Sequence, residues 1–194
     1  MIEQTGTNGA DVLVAEAGVN KLVGKGGNDI LIGRNGQNDL LIGGAGSDLL
    51  IGGRGADTFQ FGKEANNNDV DVIRDFKFEN MNDANSDKLS FRFFEGNNFK
   101  ITSVTADPDA AGNSFNGFEF SKNSEKMFDL KISISFEDGA RGTIHQDIVI
   151  VDALKNKGWH ADAWTDYLSS LVPDNHDPIT INYHDWSATS TPTA

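Results

Sequence analysis

Six positions, Asp11, Asn20, Asp29, Asp39, Asp48 and Asp57, follow one another nine residues apart with a single step of ten. A glycine-rich half-unit precedes most of them: Gly24-Lys-Gly-Gly-Asn before Asp29, Gly43-Gly-Ala-Gly-Ser before Asp48, Gly52-Gly-Arg-Gly-Ala before Asp57. Glycines turn tightly and leave carbonyls open, so each unit offers carboxylate and carbonyl oxygens together. A donor set made of oxygen alone suits a hard divalent cation such as calcium. Carboxylates stacked in register would also repel one another unless a cation lay between them. Sulfur and imidazole sites are not expected: the chain has no cysteine, and His145, His160, His176 and His184 lack ligand spacing.

The elements that must position these oxygens follow from the other half of each unit. Three residues of β-forming character come after each anchor, centred on Leu13, Leu22, Leu31, Leu41, Leu50 and Phe59. Alternation points those centres inward as an apolar ladder, and two units then make one coil of a parallel roll. So thin a coil buries little against a backbone ordering cost of roughly 1–2 kcal/mol per residue, and the bound cation is expected to supply the difference. Aspartates that merely capped turns would not need Gly-x-Asp in register. The residues flanking the ladder point outward. One sheet shows Val12, Val14, Ile30, Ile32, Leu49 and Ile51, an apolar face expected to be covered by the C-terminal part of the chain or by a partner. The other shows Lys21, Val23, Leu40, Ile42, Thr58 and Gln60, which water accepts more readily.

The pattern Gly-Gly-x-Gly-x-Asp-x-apolar-x is matched at every fixed position by residues 43–51 and 52–60. It resembles the RTX family of hemolysin-type calcium-binding repeats. The resemblance implies a right-handed parallel β-roll with ions between turns two units apart. One edge would use Thr7, Gly9, Asp11, Gly24, Gly26 and Asp29 for a first ion, then Lys25, Gly27, Asp29, Gly43, Ala45 and Asp48 for a second. The opposite edge departs from the pattern, with Asn20 for Asp, Ala15-Glu16 for the glycine pair, and an extra residue between Gly36 and Asp39. An ion there would draw on Arg34, Gly36, Asp39, Gly52, Arg54 and Asp57, with Asn38 an alternative to Asp39. The turn residues Gly33, Gly44, Gly46, Gly53 and Gly55 complete the candidate set. About three good calcium sites and one or two weaker ones are expected by this carry-over.

Beyond the repeats, Asp71-Val-Ile-Arg-Asp75-Phe76 resembles the segment that closes the roll in RTX metalloproteases and in the repeat modules of alginate epimerases, which makes Asp71 a candidate ligand of a final ion. Runs at 99–104, 118–120, 127–136 and 144–151 read as strands of a largely antiparallel β cap. Trp164, Leu168 and Leu171 share a helical face ahead of Pro173, predicting one helix over 159–172. The expected organisation is a roll over 1–61, a β-rich capping region over 62–172 and a flexible tail over 173–194.

Composition narrows the function. Twenty-nine acidic residues against sixteen basic ones, a net charge of −13, argue against nucleic acid or an anionic membrane as partner. No apolar run reaches the ~18 residues of a membrane span, and residues 1–9 lack the features of a cleaved signal peptide. No His-Glu-x-x-His helix, Gly-x-Ser-x-Gly elbow or phosphate loop occurs, so the chain is not expected to be an enzyme. The Asp107-Pro108 and Asp177-Pro178 bonds read as turns rather than sites of self-cleavage. The resemblance implies a secreted or cell-surface calcium-binding module exported by type I secretion machinery. Recognition of a polysaccharide or surface protein is the alternative.

Overall fold

The computed structural model describes residues 1–66, 68–78, 83–92, 98–107, 114–115, 118–119, 127–155, 161–171 and 181–183. The repeats form β1 (Ile2–Thr5), β2 (Val12–Val14), β3 (Val19–Gly26), β4 (Ile30–Ile32), β5 (Leu40–Ala45), β6 (Leu49–Ile51) and β7 (Thr58–Gly62). Then come β8 (Asp69–Ile73), β9 (Lys88–Arg92), β10 (Lys100–Asp107), β11 (Ser114–Phe115), β12 (Phe118–Glu119), β13 (Met127–Asp138), β14 (Gly142–Lys155), α1 (Ala161–Ser170) and β15 (Ile181–Tyr183).

Successive repeat strands alternate between two sheets. Strands β1-β3-β5-β7-β9 form one, parallel throughout, while β2-β4-β6-β8 form part of the other, also parallel. The register sets Leu13, Leu31, Leu50 and Ile73 in one row and Leu22, Leu41, Phe59 and Leu89 in the other. Those rows make the predicted ladder: Leu22, Leu31, Leu41, Leu50 and Phe59 are wholly buried. In the all-parallel sheet β3 and β5 run on through the glycine turns, pairing Lys25 with Gly44 and Gly26 with Ala45, so those strands exceed the expected three residues.

The roll does not stop at residue 61. Strands β8 and β9 add one more coil to the two sheets, and β14 then pairs parallel to β8. Beyond β14 the neighbours β13 and β10 are antiparallel, as expected of the cap. The cap thus prolongs the roll's second sheet instead of standing apart from it, and its apolar residues Ile132, Ile134, Ile148 and Ile150 join the ladder in one core. Helix α1 seals that core. Trp164, Tyr167 and Leu168 are buried and Leu171 packs against them, with Trp164 and Tyr167 ringed by Phe76 and Phe78 at centroid distances of 4.7 to 5.4 Å. The predicted helix ends, residues 159, 160 and 172, lie outside the described residues, as do His160, His176, His184, Pro108 and the Asp177-Pro178 bond.

Two expectations are corrected. Residues 181–183, placed in a flexible tail, form β15 and pair parallel to β10, because an open sheet edge offers even a three-residue segment a full set of backbone partners. The apolar outer face is covered unevenly. Leu49 and Ile30 are buried in a cluster with Val72 and Val149, whereas Val12 and Val14, on the terminal strand β2, are 64% and 52% exposed. Burial there needs neighbouring strands on both sides, and β2 has one.

Candidate metal centre

Stacking of alternate units brings the anchors together along two edges. On the first, the Asp11 N–H donates to Asp29 Oδ1 at 2.8 Å, the Asp29 N–H to Asp48 Oδ1 at 2.8 Å, and the Asp48 N–H to Asp71 Oδ1 at 2.9 Å. On the second, the Asp39 N–H donates to Asp57 Oδ1 and the Asp57 N–H to Asp87 Oδ1, both at 2.8 Å. Asp29, Asp48, Asp71, Asp57 and Asp87 therefore each commit one oxygen to the anchor amide of the coil before. Asp29, Asp48 and Asp57 are fully buried, Asp71 and Asp39 nearly so.

The second oxygen is what matters chemically. Oδ2 of Asp29, Asp48 and Asp57, and Oδ1 of Asp39, are buried without a hydrogen-bond partner. A buried carboxylate oxygen left so costs several kcal/mol unless a cation compensates it. In the unit before Asp57 that oxygen lies 2.5 Å from where a Cβ on Gly52 would sit, and those of Asp29 and Asp48 press still closer on Gly24 and Gly43. Glycine opens these three units because a side chain there would occupy the space the carboxylate uses. Gly44 and Gly46 take positive φ, 112° and 116°, and bring the turn backbone against that of the preceding coil, on Lys25 and Gly27. Lys25 holds φ 84° where Gly44 and Gly53 stand in the later units.

Burial sets the electrostatics. It pushes the carboxyl of Asp48 up to about 7, helped by Asp29 and Asp69, and that of Asp57 up to about 7, helped by Asp87, Asp39 and Asp75. Burial likewise raises Asp29 and Asp39, takes Asp87 to about 6, and holds Asp71 well above the usual carboxylate range. Asp11, at the open end of its edge, goes the other way, lowered by the Thr7 N–H at 2.6 Å and the Thr7 hydroxyl. Buried carboxylates that resist ionisation, with lone oxygens and glycine carbonyls around them, fit a divalent cation: calcium bound there supplies the missing positive charge. Among the described residues no three acidic or histidine side chains converge on one point, so backbone carbonyls must complete any site, as the carry-over of Gly9, Gly24, Gly26, Gly27 and Gly43 implies.

The predicted residues are therefore brought together on the first edge and sorted on the second. Asp39, buried, is the anchor of the long unit, bonded to the Arg34 N–H at 2.7 Å, while Asn38 is exposed and accepts the Ala56 N–H. Asn20 lies inside β3 and accepts the Ile2 N–H, so its coil contributes no carboxylate. Three acids outside the repeats complete the roll. Asp71 was legible in the sequence. Asp87 is not among the predicted ligands, although Asp87-Lys-Leu-Ser repeats the Asp-x-apolar-x half of a unit. Asp75 accepts the N–H groups of Gly52 and Gly53 at 2.9 and 2.7 Å, standing in for a missing turn.

A family comparison agrees with this geometry. The family described as RTX calcium-binding nonapeptide repeat (4 copies) matches residues 5–38 and 35–66. No curated protein matches the chain. Among solved structures the chain is similar to the extracellular lipase LipA from Serratia marcescens, at 24% identity and a TM-score of 0.45, over 78% of this chain and 19% of the lipase. The chain thus spans about a fifth of that lipase's length. The ladder of buried anchors over the same residues is the physical form of the matched pattern: residues 5 to 66 are an array of RTX calcium-binding repeats.

Proposed function

We propose that the chain is a calcium-dependent folding module of an exported protein, without catalysis of its own, that orders where calcium is plentiful, outside the cell or at its surface. The observation that carries this reading is the pair of anchor ladders, whose buried carboxylate oxygens lack partners. Without calcium those groups oppose folding, and with it they hold the coils together, so order is linked to free calcium. Such linkage suits passage through a type I secretion channel, where the chain must stay unfolded until it emerges. The first edge offers sites at Asp11/Asp29 and Asp29/Asp48, the second at Asp39/Asp57, and the Asn20 coil is the weak member. Calcium titration of the full chain, followed by far-UV circular dichroism, should show β structure appearing cooperatively. A spectrum already β-rich in excess chelator and unchanged by calcium overturns the reading.

The five-stranded sheet favours a second role built on the first. Its outward residues Lys21, Thr58 and Gln60 lie half-buried beside Val23, Leu40 and Ile42, a mixed face that suits a neutral glycan or a protein surface. Retention on a polysaccharide matrix in calcium, lost in chelator, supports it; no retention in either removes it.

A further inference from the structure

Gln146 is a side chain of the cap that reaches the anchor ladder. On β14 the inward row is Ile144, Gln146, Ile148 and Ile150, all buried, so an amide stands where its neighbours are aliphatic. The parallel register sets Gln146 opposite Asp69 and Ile148 opposite Asp71. Gln146 and Asp71 are thus diagonal neighbours on the inward face, where the sheet meets the first edge. Gln146 Nε2 donates to Asp71 Oδ2 at 2.6 Å. Its other polar atom, Oε1, has no hydrogen-bond partner, although Gln146 is only 2% exposed. One coil back, Asp48 is linked to the same carboxylate through its own N–H, and its Oδ2 is equally alone.

A buried amide oxygen without a partner is expensive, and a hydrogen bond to Asp71 alone would not require a group that leaves one behind. Amide oxygens are ordinary calcium ligands. We propose that Gln146 Oε1, together with the carboxylates of Asp48 and Asp71, is a ligand of the last calcium ion on the first edge, contributed by the cap from 75 residues beyond Asp71. This rests on the calcium reading above and adds a consequence to it. The ion bridges repeat and cap, so binding at this site orders β14, whereas the sites further back order repeat turns alone.

The test is calcium titration of the full-length chain by isothermal calorimetry, with hydrogen exchange of the β14 amides, for wild type, Gln146→Met, Gln146→Glu and Asp71→Asn. Gln146→Met keeps the volume and removes the oxygen. It should weaken one site by tenfold or more, leave the others unchanged, and abolish the calcium-induced protection of β14. The double variant with Asp71→Asn should lose no more than Asp71→Asn alone, as expected of two ligands of one ion. Gln146→Glu should destabilise the chain in chelator, where a second carboxylate faces Asp71, and bind calcium at that site at least as tightly as wild type. The inference is overturned if Gln146→Met titrates like wild type while melting earlier by the same amount in calcium and in chelator. It is equally overturned if Gln146→Glu is as impaired in calcium as in chelator, a result that decides the matter even should the Met variant fail to fold. Wild type that binds no calcium would instead remove the underlying reading.

Discussion

Replacing Asp57 with Asn should stabilise the folded chain in chelator and destabilise it in calcium, a reversal that an ordinary core residue cannot give. In the folded chain burial takes the Asp57 carboxyl from its ordinary value of 3.8 up to about 7. Because the folded value is raised, the ionised form opposes folding. The loss begins as pH rises past 3.8, is complete above about 7, and amounts to about 4 kcal/mol for a shift of this size. An asparagine removes that charge and keeps the oxygen that accepts the Asp39 N–H. Its NH2 group replaces an oxygen that has no partner, which gives back about 1–3 kcal/mol. The net expectation in chelator at pH 7.5 is a gain of about 1–3 kcal/mol, on the order of a tenth or more of a typical domain's stability. In calcium the same change removes a charged ligand and should cost at least as much. Urea unfolding of the full chain, followed by far-UV circular dichroism in both conditions, measures both signs. Destabilisation of similar size with and without calcium would refute the argument, since it would mean that the Asp57 charge is already satisfied within the protein.

The same linkage predicts a pH response for the unaltered chain. With folded values of about 7 for Asp48 and Asp57 and about 6 for Asp87, lowering the pH from 7.5 to 5 in chelator should increase the folded fraction and lower calcium affinity, measured by circular dichroism and calorimetry. Leu50→Ala opens a cavity at a wholly buried rung of the ladder and should cost about 2–5 kcal/mol in calcium by urea unfolding, with the calcium stoichiometry unchanged. Tyr167→Phe removes the hydroxyl that accepts the Leu89 N–H at 2.5 Å and donates to the Leu89 carbonyl. It should cost about 1–3 kcal/mol and leave calcium affinity at the first edge intact.

The repeats were legible because two periods coincide in them: glycine and aspartate recur every nine residues, and the apolar ladder recurs with them. Asp11, Asp29 and Asp48 could be assigned to one edge on parity alone, and helix α1 announced itself through Trp164 and Leu168. The end of the roll was harder to see. The steps from Asp48 to Asp71 and from Asp57 to Asp87 pass through segments of unequal length, so no interval marks them, and only the short Asp-x-apolar pattern survives. Nothing local marks Gln146 at all. Its position follows from the register of β14 on β8, a long-range pairing that depends on which strand the cap presents to the roll. The exposure of Val12 and Val14 has the same origin, since a strand's burial depends on its place in the sheet and not on its own composition.

The bonds along each edge run both ways. The carboxylates of Asp29, Asp48 and Asp71 accept the N–H groups of Asp11, Asp29 and Asp48, while the backbone carbonyls of Asp11, Asp29 and Asp48 accept the N–H groups of Ile30, Leu49 and Val72 in return. Each rung is therefore clasped to the next by side chain and backbone together. The outermost strand β2 is clasped on one side only. Loss of its rung opens a single clasp, whereas a lesion at an inner rung such as Asp48 opens two and parts the stack into separate pieces.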